Sequence, residues 1–196
     1  MFMDKKLFWV VTGILSLVVL VAAMATILIR MPQTFSGSVI NPASPAVDFS
    51  LTSQTGATVR LSDYRGKYVL LYFGYSHCQD ECPVSMAVLA KVRVELGAQS
   101  NQVQVLFVST DPATDTQQSM GVFLARFDPT FIGLVGSLQQ LQPIWKSYGV
   151  TVQNGGETHS SYTYLIDPSG NLRLTYAYPS TPEQISADLK LLFRKN

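Results

Sequence analysis

Cys78 and Cys82 are the only thiols in the chain, spaced as C-x-x-x-C within Tyr72-Phe73-Gly74-Tyr75-Ser76-His77-Cys78-Gln79-Asp80-Glu81-Cys82-Pro83. Two thiols at this spacing can work as a dithiol–disulfide couple, hold a soft metal ion, or attack peroxide. Inert burial is the bland alternative, because a free thiol packs as a small hydrophobe. The flanking residues argue for chemistry. The apolar run Tyr68 to Phe73 reads as a strand leading in, and Pro83 to Leu96 as a helix leading out, with proline tolerated at a first helical position. Thiols at a helix N-terminus meet backbone N–H groups and the positive dipole end, which favours thiolate. Residues i and i+4 share a helical face with Cβ atoms roughly 5–6 Å apart. That separation suits a disulfide after modest adjustment, or one metal ion between two sulfurs.

Other elements must position this pair. Val47 to Leu51 and Thr58 to Leu61, separated by Gln54-Thr55-Gly56, predict a small β-hairpin. Lys67 to Phe73 and Val103 to Val108 are near-continuous apolar runs of the kind buried central strands show. Val84, Val88, Leu89, Val92 and Leu96 share one face of the intervening helix. Thr116 to Phe127 predicts a helix capped from Asp115 or Thr116, and Ser137 to Tyr148 another from a serine cap, with Ile132 to Leu134 a short strand between them. Tyr162 to Ile166, a turn at Asp167-Pro168-Ser169-Gly170, and Leu172 to Tyr176 form a hairpin, followed by a helix over Pro182 to Phe193 entered from Thr181. Strands alternating with helices, closed by a hairpin and a helix, give an α/β fold with a mixed central sheet flanked by helices. A cysteine pair in the first βα turn makes that fold thioredoxin-like, with the N-terminal β-hairpin and the helix near Thr116 as insertions.

The N-terminus predicts one transmembrane helix. Residues 1–6 carry Lys5 and Lys6, residues 7–29 carry no charge, and residues 30–45 are a polar linker to a domain over 46–196. The uncharged run is long enough to span a bilayer core with some tilt. Ala23-Met24-Ala25 resembles a small-x-small cleavage site, but the apolar run continues past it, which favours an uncleaved anchor. Lys5 and Lys6 against Arg30 place the N-terminus in the cytoplasm and the domain in a bacterial periplasm or an equivalent space. A net charge of +1 gives no electrostatic case for nucleic acid. An oxidising compartment permits disulfides, yet two cysteines are a poor structural framework for a domain of this size, so a functional pair is the better inference.

C-x-x-x-C is one residue longer than the C-x-x-C of dithiol oxidoreductases, which weakens a purely redox assignment. The segment Asn154-Gly155-Gly156-Glu157-Thr158-His159-Ser160-Ser161 lacks the cis-proline that thioredoxins place before the facing strand, and offers His159 instead. In this fold that loop lies beside the cysteine loop, so Cys78, Cys82 and His159 converge. Two thiolates and an imidazole suit copper, Cu(I) above all. Zinc is the lesser option, because structural zinc takes four protein ligands and the fourth would have to be Asp80, Glu81 or water. A surface or capping role is the plain alternative for His159, and His77 competes as third ligand from its place beside Cys78. Asp111 closes the second strand, where sites commonly form; Asp115 reads as a turn or capping residue.

Phe73-Gly74-Tyr75-Ser76-His77-Cys78 through Cys82-Pro83, with Ser109-Thr110-Asp111-Pro112 and Tyr164-Leu165-Ile166-Asp167-Pro168, resembles the Sco/SenC family of copper-binding, thioredoxin-like cytochrome c oxidase assembly factors. The resemblance implies Cys78, Cys82 and His159 as copper ligands, with Cu(I) the expected form and Cu(II) a further option, beside an expected Cys78–Cys82 redox disulfide. It implies delivery to the binuclear copper site of oxidase subunit II, with an upstream copper donor and a thiol reductant as further partners. No catalytic residue is assigned; thiol–disulfide reduction of the oxidase cysteines is the enzyme-like alternative, and thiol peroxidase chemistry a third. Gln79, Thr158 and Thr114 stand where the family usually has proline, aspartate and arginine. None is a ligand, so these departures bear on the surroundings of the metal and on partner contacts.

Overall fold

The computed structural model describes the backbone of residues 5–30, 34–153, 158–159 and 161–194. It describes their side chains except at 5–8, 10, 11, 25–30, 153, 158 and 159. The chain divides into two compact units, 1–34 and 35–196. The first contains α1, Lys5–Arg30, whose described side chains, Trp9 and residues 12–24, are all exposed. Among the described residues no helix is long and apolar enough to cross a membrane. The anchor expected over 7–29 runs at both ends into residues whose side chains lie outside that description.

The second unit is built on the strand that leads into the cysteines. This is β4, Tyr68–Gly74, and all of its residues are buried. Tyr68, Leu70 and Tyr72 face one layer; Val69, Leu71 and Phe73 face the other. A strand covered on both sides has no polar face to show, which is why its sequence reads as an unbroken apolar run. β5, Val103–Ser109, lies parallel to β4 with Leu71 opposite Leu106, and β6, Ile132–Val135, continues the parallel set. The hairpin β9, Tyr162–Ile166, and β10, Asn171–Ala177, packs antiparallel on the other side of β4. The expected N-terminal hairpin is present as β2, Ser50–Ser53, and β3, Thr58–Arg60, with β2 antiparallel to β6.

Helices cover both faces. α2, Glu81–Leu96, α3, Gln117–Leu124, and α5, Pro182–Phe193, close one core through Met86, Leu89, Phe123 and Leu189. α4, Leu138–Ser147, closes the other through Leu141, Ile144 and Trp145. Capping boxes at Thr116, Ser137 and Thr181 start α3, α4 and α5, each satisfying otherwise orphaned N–H groups. This is the thioredoxin-like α/β arrangement expected from the sequence.

One expectation is corrected. Ser38–Pro45, which the sequence assigns to the linker, is strand β1, antiparallel to β10 at the edge of the sheet. The eight-stranded order is β1-β10-β9-β4-β5-β6-β2-β3. β1 has an irregular register between Val39 and Ser44, contains two prolines, and is mostly exposed. Proline is tolerated on an edge strand because one side needs no donors, so composition alone makes this strand look like a linker.

Candidate functional site

The site begins where β4 runs out. Thr110 N–H donates to the Gly74 carbonyl at 2.7 Å, and the chain then leaves the sheet through a turn in which Cys78 N–H donates to the Tyr75 carbonyl at 3.3 Å. α2 starts at Glu81, so Pro83 is its third residue rather than its first. The proline is still in the first turn, where its missing donor costs nothing. The N-cap residue, Asp80, makes no side-chain cap. The Cys78 sulfur lies there instead and accepts from the Cys82 backbone N–H at 3.4 Å.

The two thiols are not equivalent. Cys82 is fully buried and heads the buried stripe of α2, which continues as Met86, Leu89, Val92 and Leu96. Val84, expected on that face, is exposed. Cys78 is half-buried and opens on a cleft of about 550 Å³ lined by Tyr75, His77, Gln79, Asp80, Asp111 and Thr114. The Cys82 thiol is pushed far above the ordinary range, first by its hydrogen bond with Cys78, then by burial and by the charge of Cys78; the Tyr75 backbone and Tyr72 oppose the shift. The upward shift keeps the Cys82 thiol protonated, with Cys78 as its hydrogen-bond partner.

Gly74 makes room for this. A Cβ there would lie 2.7 Å from Cys82 Sγ, 2.9 Å from the Phe107 ring and 3.0 Å from the Tyr72 ring. Glycine in a strand often marks such a close approach. Gly74→Ala is expected to cost about 1–3 kcal/mol by overpacking and to push Cys82 out of its pocket. Thermal unfolding and the rate of labelling by a thiol reagent measure both, and an unchanged melting temperature with an unreactive Cys82 would overturn the assignment.

Asp115 holds the other end of the loop. Its side chain is fully buried and accepts from Ser76 N–H at 2.9 Å, Ser76 Oγ at 2.6 Å and Ser109 Oγ at 2.5 Å. The capping role expected of it belongs to Thr116, whose hydroxyl accepts from Ser119 N–H at 3.0 Å. Asp111 accepts from Thr114 Oγ1 and from Ala113 N–H, and so shapes the cleft wall. Trp145 Nε1 donates to the Ser109 carbonyl at 3.0 Å, tying the same strand end to α4.

His77 is on the surface; its Nδ1 lies 3.1 Å from Ser76 Oγ and 3.9 Å from Asp115. His159 is in β8, Thr158–His159, opposite Val152 of β7, Val152–Gln153. The imidazole, like residues 154–157 and 160 of the expected loop, lies outside the described residues. Among the described residues no cluster of three His, Cys, Asp or Glu is placed to hold a metal. Nearby, Ser161 Oγ donates to Glu81 Oε2, beside Cys82. Sequence reading missed the roles of Gly74 and of this contact, and gave Asp115 a turn or capping role rather than that of a long-range anchor. Only Gly74 carried a local signal, as a glycine ending a buried strand.

The SCO1/SenC family matches residues 39–194. The bovine mitochondrial SCO2 homologue is 35% identical over 153 residues, 73% of this chain and 58% of its own length. A SCO2-like protein of Rickettsia felis is 30% identical over 191 residues, 90% of this chain and 93% of its own. The chain thus spans less than two thirds of the bovine relative and nearly all of the bacterial one. Among solved structures, apo Sco1 of Thermus thermophilus superposes with a TM-score of 0.73 at 32% identity, covering 83% of this chain and 99% of its own. ScoI of Bradyrhizobium japonicum, solved with copper bound, gives 0.67 at 33%, covering 76% and 99%.

Proposed function

The chain belongs to the SCO1/SenC family, and from that premise we propose that it is a copper metallochaperone. It takes copper as cargo on Cys78, Cys82 and His159, and delivers it to the binuclear copper site of cytochrome c oxidase subunit II during assembly. The observation that carries this reading is the direct hydrogen bonding of one thiol to the other, with Cys78 open to the cleft and Cys82 behind it. Two such sulfurs suit Cu(I), and imidazole suits copper in either oxidation state. Cys82 gives up its proton on loading, as thiolate ligation requires. The Ser161–Glu81 contact supports the presence of the His159 segment at the same loop. A solved relative with copper bound supports the choice of metal.

Residues 7–29 act as an uncleaved membrane anchor with residues 1–6 in the cytoplasm and the domain in the periplasm. The exposed apolar side chains of α1, Trp9 and Leu20 among them, support this placement. An upstream donor supplies the copper. A thiol reductant keeps the pair open, because a Cys78–Cys82 disulfide has no lone thiolate left to bind. The adjacency of the sulfurs also supports a second reading, thiol–disulfide reduction of the oxidase cysteines, which needs both thiols but not His159.

Copper titration of the reduced domain, in parallel with His159→Ala, separates the two. The chaperone reading expects one tightly held copper, lost or greatly weakened in the variant. Rapid reduction of a disulfide substrate by both proteins, with no tight copper in either, would transfer the assignment to the reductase.

A further inference from the structure

The strand that carries His159, β8, is not one of the eight strands of the main sheet. Among the described residues β7 and β8 pair only with each other, so no main-sheet ladder sets His159 against the cysteine loop. The crossing is made by the next described residue. Ser161 Oγ donates to Glu81 Oε2 on the first residue of α2, directly before Cys82. The Ser161 carbonyl accepts from Tyr178 N–H at 3.0 Å, which pins its backbone. The buried Tyr72 hydroxyl lies beside Ser161, Ser85 and Cys82.

We propose that Glu81 and Ser161 form a clasp that positions His159 over the two cysteines and slows the release of copper, an inference that rests on the copper reading of the site. Ser161 is two residues past His159, so at most about 7 Å of extended chain separates their Cα atoms. Fixing Ser161 to the α2 N-terminus therefore limits how far the His159 backbone can lie from Cys82, which would raise the effective concentration of this ligand at the metal. A carboxylate acceptor makes this a charge-assisted hydrogen bond, stronger than a neutral one. Glu81 and Ser161 are positioning residues and do not ligate copper themselves.

The test is release of Cu(I) from the reduced full chain to a competing chelator, followed in time. Ser161→Ala and Glu81→Ala are expected to speed release about tenfold, as loss of a ligand's supporting contact does. Glu81→Gln keeps an acceptor oxygen but loses the charge, so its release rate falls between wild type and Glu81→Ala. In a His159→Ala background, Ser161→Ala adds nothing, whereas general loosening of the cysteine pair adds its full factor there too. Wild-type release in Ser161→Ala, or a full additive effect without His159, overturns the clasp; if His159→Ala still accelerates release, the copper reading stands without it. Release unaffected by His159→Ala removes the ligand the clasp serves, and both fall together.

Discussion

Serine at Cys78 or at Cys82 is expected to remove tight copper binding from the reduced protein, yet the two variants should differ in stability. Each substitution replaces a soft thiolate with a hydroxyl that Cu(I) does not favour. Losing a ligand itself should cost more than the roughly 10–100-fold that changes in the surrounding contacts cost. The stability cost divides by burial. Cys82 is fully buried in the core it shares with Met86, Leu89 and the β4 aromatics, so Cys82→Ser trades a large sulfur for a smaller oxygen and leaves unfilled space even where the hydroxyl keeps the bond to Cys78, at about 1 kcal/mol. Cys78 is half-buried at the cleft, and Cys78→Ser keeps an oxygen able to accept from the Cys82 N–H, so its melting temperature should stay close to wild type. Competition with a Cu(I) chelator and thermal unfolding read the two effects separately. Wild-type copper affinity in Cys82→Ser would sink the dithiol site, and equal loss of stability in both variants would sink the asymmetry.

That asymmetry was only half legible in the sequence. The spacing put both thiols at a helix start, and Leu89, Val92 and Leu96 are buried with Val88 packed against the core as expected, but Val84, expected on the same face, is exposed. The observed face is set by Cys82 itself, four residues before Met86. β4 and β5 were readable because burial on both faces leaves an apolar run. α5 was readable to the residue, because Thr181 and Gln184 form its capping box around Pro182. β1 was not, because an exposed edge strand with two prolines has the composition of a linker and owes its conformation to β10. Asp115 was misassigned for a related reason. The residue it serves, Ser76, is 39 positions away, and nothing local in Asp115-Thr116 separates a helix cap from a long-range anchor. The partner of Ser161 is farther still, 80 positions back at Glu81.

The largest effect on stability away from the site is expected at Asp188, which secures the segment that sequence reading took for linker. Asp188 lies on the buried side of α5 and is almost wholly enclosed. Its carboxylate accepts from Ser36 N–H at 2.9 and 3.0 Å, from Gly37 N–H at 2.9 Å and from the Tyr176 hydroxyl at 3.0 Å. Burial first, and Asp188 second, push the Tyr176 hydroxyl far above its ordinary range, so the phenol stays protonated and remains a donor. Gly37 is required for this closeness, since a Cβ there would lie 2.7 Å from the Tyr176 ring. Asp188→Ala leaves three donors without their acceptor. Hydrogen bonds to a charged group are worth about 1.5–3 kcal/mol each, but the Ser36 donor is only part-buried and regains water once β1 loosens. A net loss of about 3 kcal/mol follows, or roughly 6–12 °C in melting temperature for a domain of this size. β1 should detach before the rest unfolds, so limited proteolysis should cut residues 36–45 sooner in the variant. Copper stoichiometry should be unchanged below the transition, because α5 contributes no proposed ligand. A melting temperature within 2 °C of wild type (about half a kcal/mol) would mean that β1 is held by its pairing with β10 alone.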